Sequence, residues 1–251
     1  MAEVHKDVLK SSLLERELPF RVILPEEVEN QDRPGVLYLL HGLFGSCDNW
    51  IELTRLRDLA KGRTYIIVMP EAEDSWYVDS EARGQFESVY LNELLPFIDE
   101  RFRTSGARGI AGNSMGGYGA IKFAFRRPEL FRFAISCSGA FHAPQIFEEI
   151  EGFDELKESV LRVFGPAGSS ERRSNDIGLQ AGAASNTEIV PHLYLDCGVH
   201  DSFVQINREM SDLLKRNGIA HTYNEFEGGH GWDYWDARLE SILAIADEHL
   251  N

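Results

Sequence analysis

The chain has 251 residues, 43% hydrophobic and 26% charged, which is ordinary for one sizeable folded domain and excludes a disordered chain. A formal net charge of −16 counts against nucleic acid, an anionic membrane surface or a polyanionic substrate as partner, since each of these needs Lys and Arg. Three cysteines without zinc spacing, an N-terminus lacking the apolar stretch of a signal peptide, and apolar runs no longer than a strand make a cytoplasmic protein with no membrane partner the expectation.

Residues 20–24 alternate and stop at Pro25, the pattern of a half-buried strand near a sheet edge. Val36-Leu37-Tyr38-Leu39-Leu40 is continuously apolar, the mark of a strand covered on both faces, and it empties into a glycine-containing loop, residues 41–50. Helical spacing follows through Leu53, Leu56 and Leu59. Residues 64–70 predict the next buried strand, and 71–83 a polar and aromatic loop holding Trp76 and Tyr77. Val89, Tyr90, Leu94, Phe97 and Ile98 form one helical stripe across 86–102. Residues 108–120 read as a short buried strand, an abrupt turn and the start of a helix, which Pro128 closes. Residues 131–137 predict another strand. The irregular stretch 139–188 has helical pieces but no strand pattern. His192–Gly198 returns to the sheet, 203–216 is a helix with Gly218 just beyond it, His221–Phe226 is the last strand and 233–249 the last helix. Strands alternating with helices predict a single α/β domain over residues 1–251, with a mainly parallel sheet and 139–188 as a small cap-like excursion. There is no internal repeat.

Within 108–120, Gly112-Asn113-Ser114-Met115-Gly116 fits the nucleophile-elbow pattern G-x-S-x-G. A serine hydroxyl is a weak nucleophile, so it must stand clear of the backbone with a base in reach. A strained strand-to-helix turn presents it that way, and small flanking residues let the backbones pass closely. A plain glycine-rich turn shares the pattern. The continued small-residue run, Gly117, Gly119 and Ala120, followed by inward-facing Ile121 and Phe123, favours the elbow.

Ligands in an open α/β sheet sit at the carboxyl ends of the strands, so partners of Ser114 should lie just after strands. Of the eight histidines, His230 follows the last strand in the flexible setting Gly228-Gly229-His230-Gly231-Trp232, which suits a general base. His249 lies on the terminal helix, His221 begins a strand and His41 precedes the nucleophile. Two acids compete. Position after Gly198 favours Asp201, which could instead cap the next helix, over Asp196, which lies inside an apolar strand. His200, beside Asp201, is a weaker base candidate because it cannot readily bridge its neighbour to the serine. An oxyanion hole needs two N–H donors. Met115, directly after the serine, offers one, and Leu43, ahead of Phe44, is the favoured source of the other. No metal motif, cysteine pair or phosphate-binding lysine occurs, so neither metal nor cofactor is expected.

These residues also resemble the esterase D-like family of α/β-hydrolases, which includes tributyrin-type esterases, S-formylglutathione hydrolases, feruloyl esterases and mycolyltransferases. The resemblance rests on Leu40-His41-Gly42, Asp74-Ser75-Trp76-Tyr77-Val78-Asp79, Glu93-Leu94-Leu95-Pro96-Phe97-Ile98-Asp99, the run from Ala111 to Ala120, Asp196-Cys197-Gly198 with Asp201, and Gly229-His230 with Trp232 and Trp235. It implies an α/β-hydrolase fold with an eight-stranded sheet, a triad of Ser114, Asp201 and His230, and oxyanion amides of Leu43 and Met115.

The expected function is a serine carboxylesterase acting through an acyl-enzyme on a small-molecule acyl ester. Acetyl to butyryl or small aromatic acyl groups are expected, in a pocket walled by Phe44, Trp76 and Tyr77 and covered by the excursion. An acyltransferase or an S-formylglutathione (thioester) hydrolase would use the same residues. A non-catalytic ligand-binding relative is the alternative of another class, and an intact triad argues against it. The oligomeric state is not legible in the sequence.

Overall fold

The computed structural model describes residues 1–25, 33–145, 154–183 and 191–250. Ten strands appear among them: β1 (His5–Ser11), β2 (Arg16–Ile23), β3 (Val36–Leu40), β4 (Ile66–Pro70), β5 (Asp79–Ser80), β6 (Gly84–Gln85), β7 (Arg108–Asn113), β8 (Phe133–Cys137), β9 (His192–Gly198) and β10 (His221–Phe226). Eight of them form one sheet in the order β1-β2-β4-β3-β7-β8-β9-β10, and β5 and β6 make a separate short hairpin. The pairs from β4 through β10 are parallel, while β1 and β2 run antiparallel at one edge.

The alternating side chains of β3 show why that strand is apolar throughout. Val36, Tyr38 and Leu40 enter one core, with Tyr118 and Phe123 of the helix after Ser114. Leu37 and Leu39 enter the other, with Trp50, Trp235 and Leu239. The first layer also takes the helices α3 (Phe86–Val89), α4 (Leu95–Phe102), α5 (Met115–Arg126) and α9 (Val204–Arg216), and the second takes α1 (Asn49–Glu52), α2 (Leu56–Leu59) and α10 (Trp232–Leu250). The excursion holds α6 (Asp154–Phe164), α7 (Ser170–Asn175) and α8 (Ile177–Ala183).

Three local expectations change. β1 carries His5, Lys6, Asp7 and Lys10, so its sequence lacks a strand's apolar signal, but charge is what protects an exposed edge strand. The helix expected over 86–102 is α3, a π-helical turn at Tyr90–Leu94 and α4. Pro96, near the start of α4, lacks the N–H an unbroken helix would need there, and the wider turn sits directly before it. Of the leucine spacing at 53–59, only Leu56 and Leu59 lie in a helix, the single turn α2, and Leu53 follows the separate turn α1.

Candidate active site

Ser114 follows β7 without a break. Its φ of 54° and ψ of −115° lie where an L-residue is strained, so the surroundings must hold it there. Its N–H donates to the Cys137 carbonyl at 3.0 Å, and its own carbonyl accepts from Tyr118 at 3.0 Å and Ala140 at 3.2 Å. The turn also demands that helix and strands nearly touch: a Cβ on Gly116 would lie 2.7 Å from the carbonyl oxygen of His41.

Asp201 and His230 come from the loops after β9 and β10. Gly198 lets these loops meet, since a Cβ there would lie 2.7 Å from the carbonyl carbon of Gly228. The amides of Val199 and His200 then donate to the carbonyls of Phe226 and Gly228 at 2.9 Å. The three side chains form a hydrogen-bonded chain. His230 Nδ1 is 3.0 Å from both carboxylate oxygens of Asp201, and His230 Nε2 is 3.0 Å from Ser114 Oγ. A proton on Nδ1, donated to the carboxylate, leaves the Nε2 lone pair free to accept the serine hydroxyl. Phe203 and Trp235 flank the imidazole at 4.6 and 5.1 Å between ring centroids.

The Asp201 carboxylate is fully buried. Burial alone would raise its pKa. The hydrogen bond and charge of His230, the Phe203 amide at 2.7 Å and the Ser138 hydroxyl outweigh burial and hold it below the ordinary aspartate value. Asp196 lies elsewhere. It accepts from Tyr234 Oη at 2.7 Å, and burial pushes its pKa up to about 6 against Tyr234 and Arg238. His200 pairs with Glu227, and His221 bonds Ser211. His41 is buried, with Nδ1 2.8 Å from the Gly42 carbonyl and Nε2 3.0 Å from the Ala72 amide nitrogen and 3.1 Å from Glu71 Oε1.

Ser114 and His230 open onto a cleft of about 410 Å³, whose lining includes Leu43, Phe44, Leu53, Asn113, Trp232 and Trp235. Leu43 lines this cleft together with Ser114. Met115 is the first residue of α5, where a backbone N–H has no partner within the helix and the dipole favours negative charge. Phe44, with a left-handed φ of 59°, is 64% exposed on the rim.

Trp76 and Tyr77 do not wall this cleft. Both are fully buried: Tyr77 donates to the His41 carbonyl at 2.8 Å, and Trp76 donates to Ser159 of α6 at 3.0 Å. Loop aromatics beside an exposed site read as pocket walls, yet these two pack inward, Trp76 against Phe164 and Tyr77 against Tyr90. The described part of the excursion likewise packs on the domain, with Tyr118 Oη donating to the Asn175 carbonyl at 2.7 Å, and none of it lines the cleft. Phe147 and Phe153 of the excursion lie outside the described residues. Sequence reasoning missed Ser138, although it directly follows β8 and the strand-end rule would have pointed to it.

Fold and site together define an α/β-hydrolase: a mainly parallel eight-stranded sheet with a strained serine, a histidine and an aspartate joined at its carboxyl edge. The family described as "Putative esterase" matches residues 11–245. An acetyl esterase of Caldicellulosiruptor saccharolyticus is 31% identical over 219 residues, covering 82% of this chain and 81% of that protein. Among solved structures, a ferulic acid esterase aligns with a TM-score of 0.83 at 25% identity, covering 100% of this chain and 98% of the other. The Staphylococcus aureus fluorophosphonate-binding serine hydrolase FphF aligns at 0.87 and 24%, covering 98% of each, a likeness that speaks to the fold. The chain belongs to this esterase family, whose chemistry is carboxylic-ester hydrolysis.

Proposed function

We infer that the protein is a serine carboxylesterase for short acyl esters, with Ser114 as nucleophile, His230 as general base and Asp201 as its orienting acid. The observation that carries this reading is the unbroken relay from Asp201 through His230 to Ser114 Oγ, at 3.0 Å per step, on a strained elbow. His230 Nε2 takes the hydroxyl proton as Oγ bonds to the ester carbon. The carbonyl oxygen becomes an oxyanion that accepts hydrogen bonds from the N–H groups of Met115 and Leu43. Asp201 holds the imidazole and stabilises its charge. The carbon–oxygen bond to the alcohol then breaks, His230 gives the alcohol its proton, and a water deprotonated by His230 releases the acid and restores Ser114.

Acetyl to butyryl groups, or a small aromatic acyl group against Phe44 and Trp232, suit a cleft of about 410 Å³. The acetyl esterase relative supports the short end of that range. Three free, buried cysteines support a reducing, cytoplasmic setting.

A panel of 4-nitrophenyl esters from acetyl to dodecanoyl, run on the parent and on Ser114→Ala, tests the reading. The parent should prefer acetyl to butyryl and decline beyond roughly six to eight carbons. The variant should stay folded, lose at least about a thousandfold in turnover and no longer take up a fluorophosphonate. Undiminished labelling of Ser114→Ala would defeat the nucleophile assignment, and efficiency still rising at dodecanoyl would defeat the size assignment.

A further inference from the structure

Asn113, the last residue of β7, carries a side chain that no other described residue uses. It is 1% exposed, it lines the cleft beside Ser114, and neither its Oδ1 nor its Nδ2 meets a hydrogen-bond partner. Side chains alternate along a strand, so Asn113 shares its face with Ala111, which belongs to the layer holding Trp50 and Trp235. The ring N–H groups of those tryptophans are committed, to the Leu40 carbonyl at 3.1 Å and to Ser138 Oγ at 3.3 Å. The carboxamide is thus an unspent polar group in the lining of the cleft. Gly42 makes room above it: a Cβ on Gly42 would lie 3.0 Å from Asn113 Nδ2 and 3.5 Å from Ser114 Cβ. A buried amide left unpaired is destabilising, and an apolar residue of the same size would remove that penalty.

We propose that the Asn113 carboxamide is a specificity-determining contact that binds a hydroxyl group of the substrate close to the scissile ester. The inference rests on Ser114 being the nucleophile. A primary amide sets an N–H donor beside an oxygen acceptor, and a hydroxyl offers both counterparts, so the two pair reciprocally. An alkyl group in the same place leaves both amide atoms dry and unpaired, and a site of that kind discriminates far more strongly than an apolar pocket does. A carboxylate is a poorer match, because it satisfies only the donor and presses against Oδ1. The hydroxyl has two sources, the acyl part or the alcohol part, and both present the same chemistry to the amide.

Two pairs of esters, each differing by one methyl-to-hydroxyl replacement, separate these sources. Propyl acetate against 2-hydroxyethyl acetate probes the alcohol part, and methyl butyrate against methyl 3-hydroxypropionate probes the acyl part. Acid release gives kcat/KM, and the quantity read is the ratio within each pair for the wild type, Asn113→Leu and the shorter Asn113→Ser. In one arm the wild type should favour the hydroxylated ester by roughly tenfold or more, and that ratio should fall to about one in each folded variant. The responding arm identifies the part of the substrate that carries the hydroxyl. A wild type indifferent in both arms overturns the proposal. So does a ratio that survives in a folded variant while both esters slow alike, which is the result expected of a bound water or of a mere prop for the Gly42 loop. If no ester turns over but Ser114 still takes up a fluorophosphonate, the proposal fails and the nucleophile stands. Loss of both ends both.

Discussion

Gly116→Ala is the sharpest perturbation of the elbow, because it alters no polar group. The added Cβ would lie 2.7 Å from the carbonyl carbon of Leu40 and from the carbonyl oxygen of His41, and closer still to the Leu40 carbonyl oxygen. All three are backbone atoms and cannot rotate away. Ordinary non-bonded contact is about 3.5 Å, so α5 and the end of β3 must part by on the order of 1 Å. Overpacking of that kind costs about 1–3 kcal/mol, which a domain of this size can survive. The parting runs between the two proposed oxyanion donors, for Met115 opens α5 and Leu43 follows β3 by three residues. Misplacement by about 1 Å costs roughly a hundredfold in turnover. Thermal unfolding followed by circular dichroism, with 4-nitrophenyl acetate kinetics on the same preparation, checks both effects. The expected variant is folded, modestly destabilised and about a hundredfold slower. A Gly116→Ala enzyme that is folded and within about twofold of the parent would refute the account of how β3 and α5 set the site.

Asp201→Asn should leave His230 in the wrong tautomer and lower turnover by about 10⁴-fold, whereas Asp196→Asn should keep turnover within about tenfold, and steady-state kinetics on the pair decides between them. Burial raises the folded pKa of Asp196 to about 6, above its unfolded value. Its contribution is therefore present at low pH and lost as pH rises through 6, so the stability of Asp196→Asn relative to the parent should improve over that rise. Glu71 has the opposite sign. Burial would raise its pKa, but the hydrogen bond and charge of His41, with the amides of Glu73 and Cys47, outweigh burial and hold it at about 2. That stabilisation is present at neutral pH and is lost as pH falls from about 4.5 towards 2. The melting temperature of Glu71→Gln should therefore lie below that of the parent at pH 7, with the gap closing on acidification.

The fold was legible where burial is two-sided. β3, β4 and β8 are buried at every residue, and such strands write themselves as apolar runs. The relay was legible because the nucleophile elbow has a fixed spacing and because acid and base must follow strands. What escaped is what depends on neighbours. β1 gains its place from pairing with β2, not from its own charged sequence. Trp76 and Tyr77 read as cleft walls because an aromatic loop after a strand looks the same whether it faces in or out. Their direction is set by Ser159 and by the His41 carbonyl, 83 and 36 residues away. Asn113 stood in plain view at the variable position of the elbow, yet only three-dimensional packing shows that its amide has no partner among the described residues.

The place of β10 in the sheet bears on how the molecule becomes competent. Ser114 and His230 are 116 residues apart in the chain, and β10 pairs with β9 alone, at the sheet's far edge. β10 is the terminal strand and docks on its neighbour β9, His221 opposite Leu193, so the rest of the sheet can pair without it. The layer around α5 can thus be ordered while the nucleophile still has no base. The same geometry acts in reverse, because an edge strand detaches without breaking the ladder behind it. Acquisition and loss of reactivity should then both be governed by one terminal docking step, separate from the stability of the core.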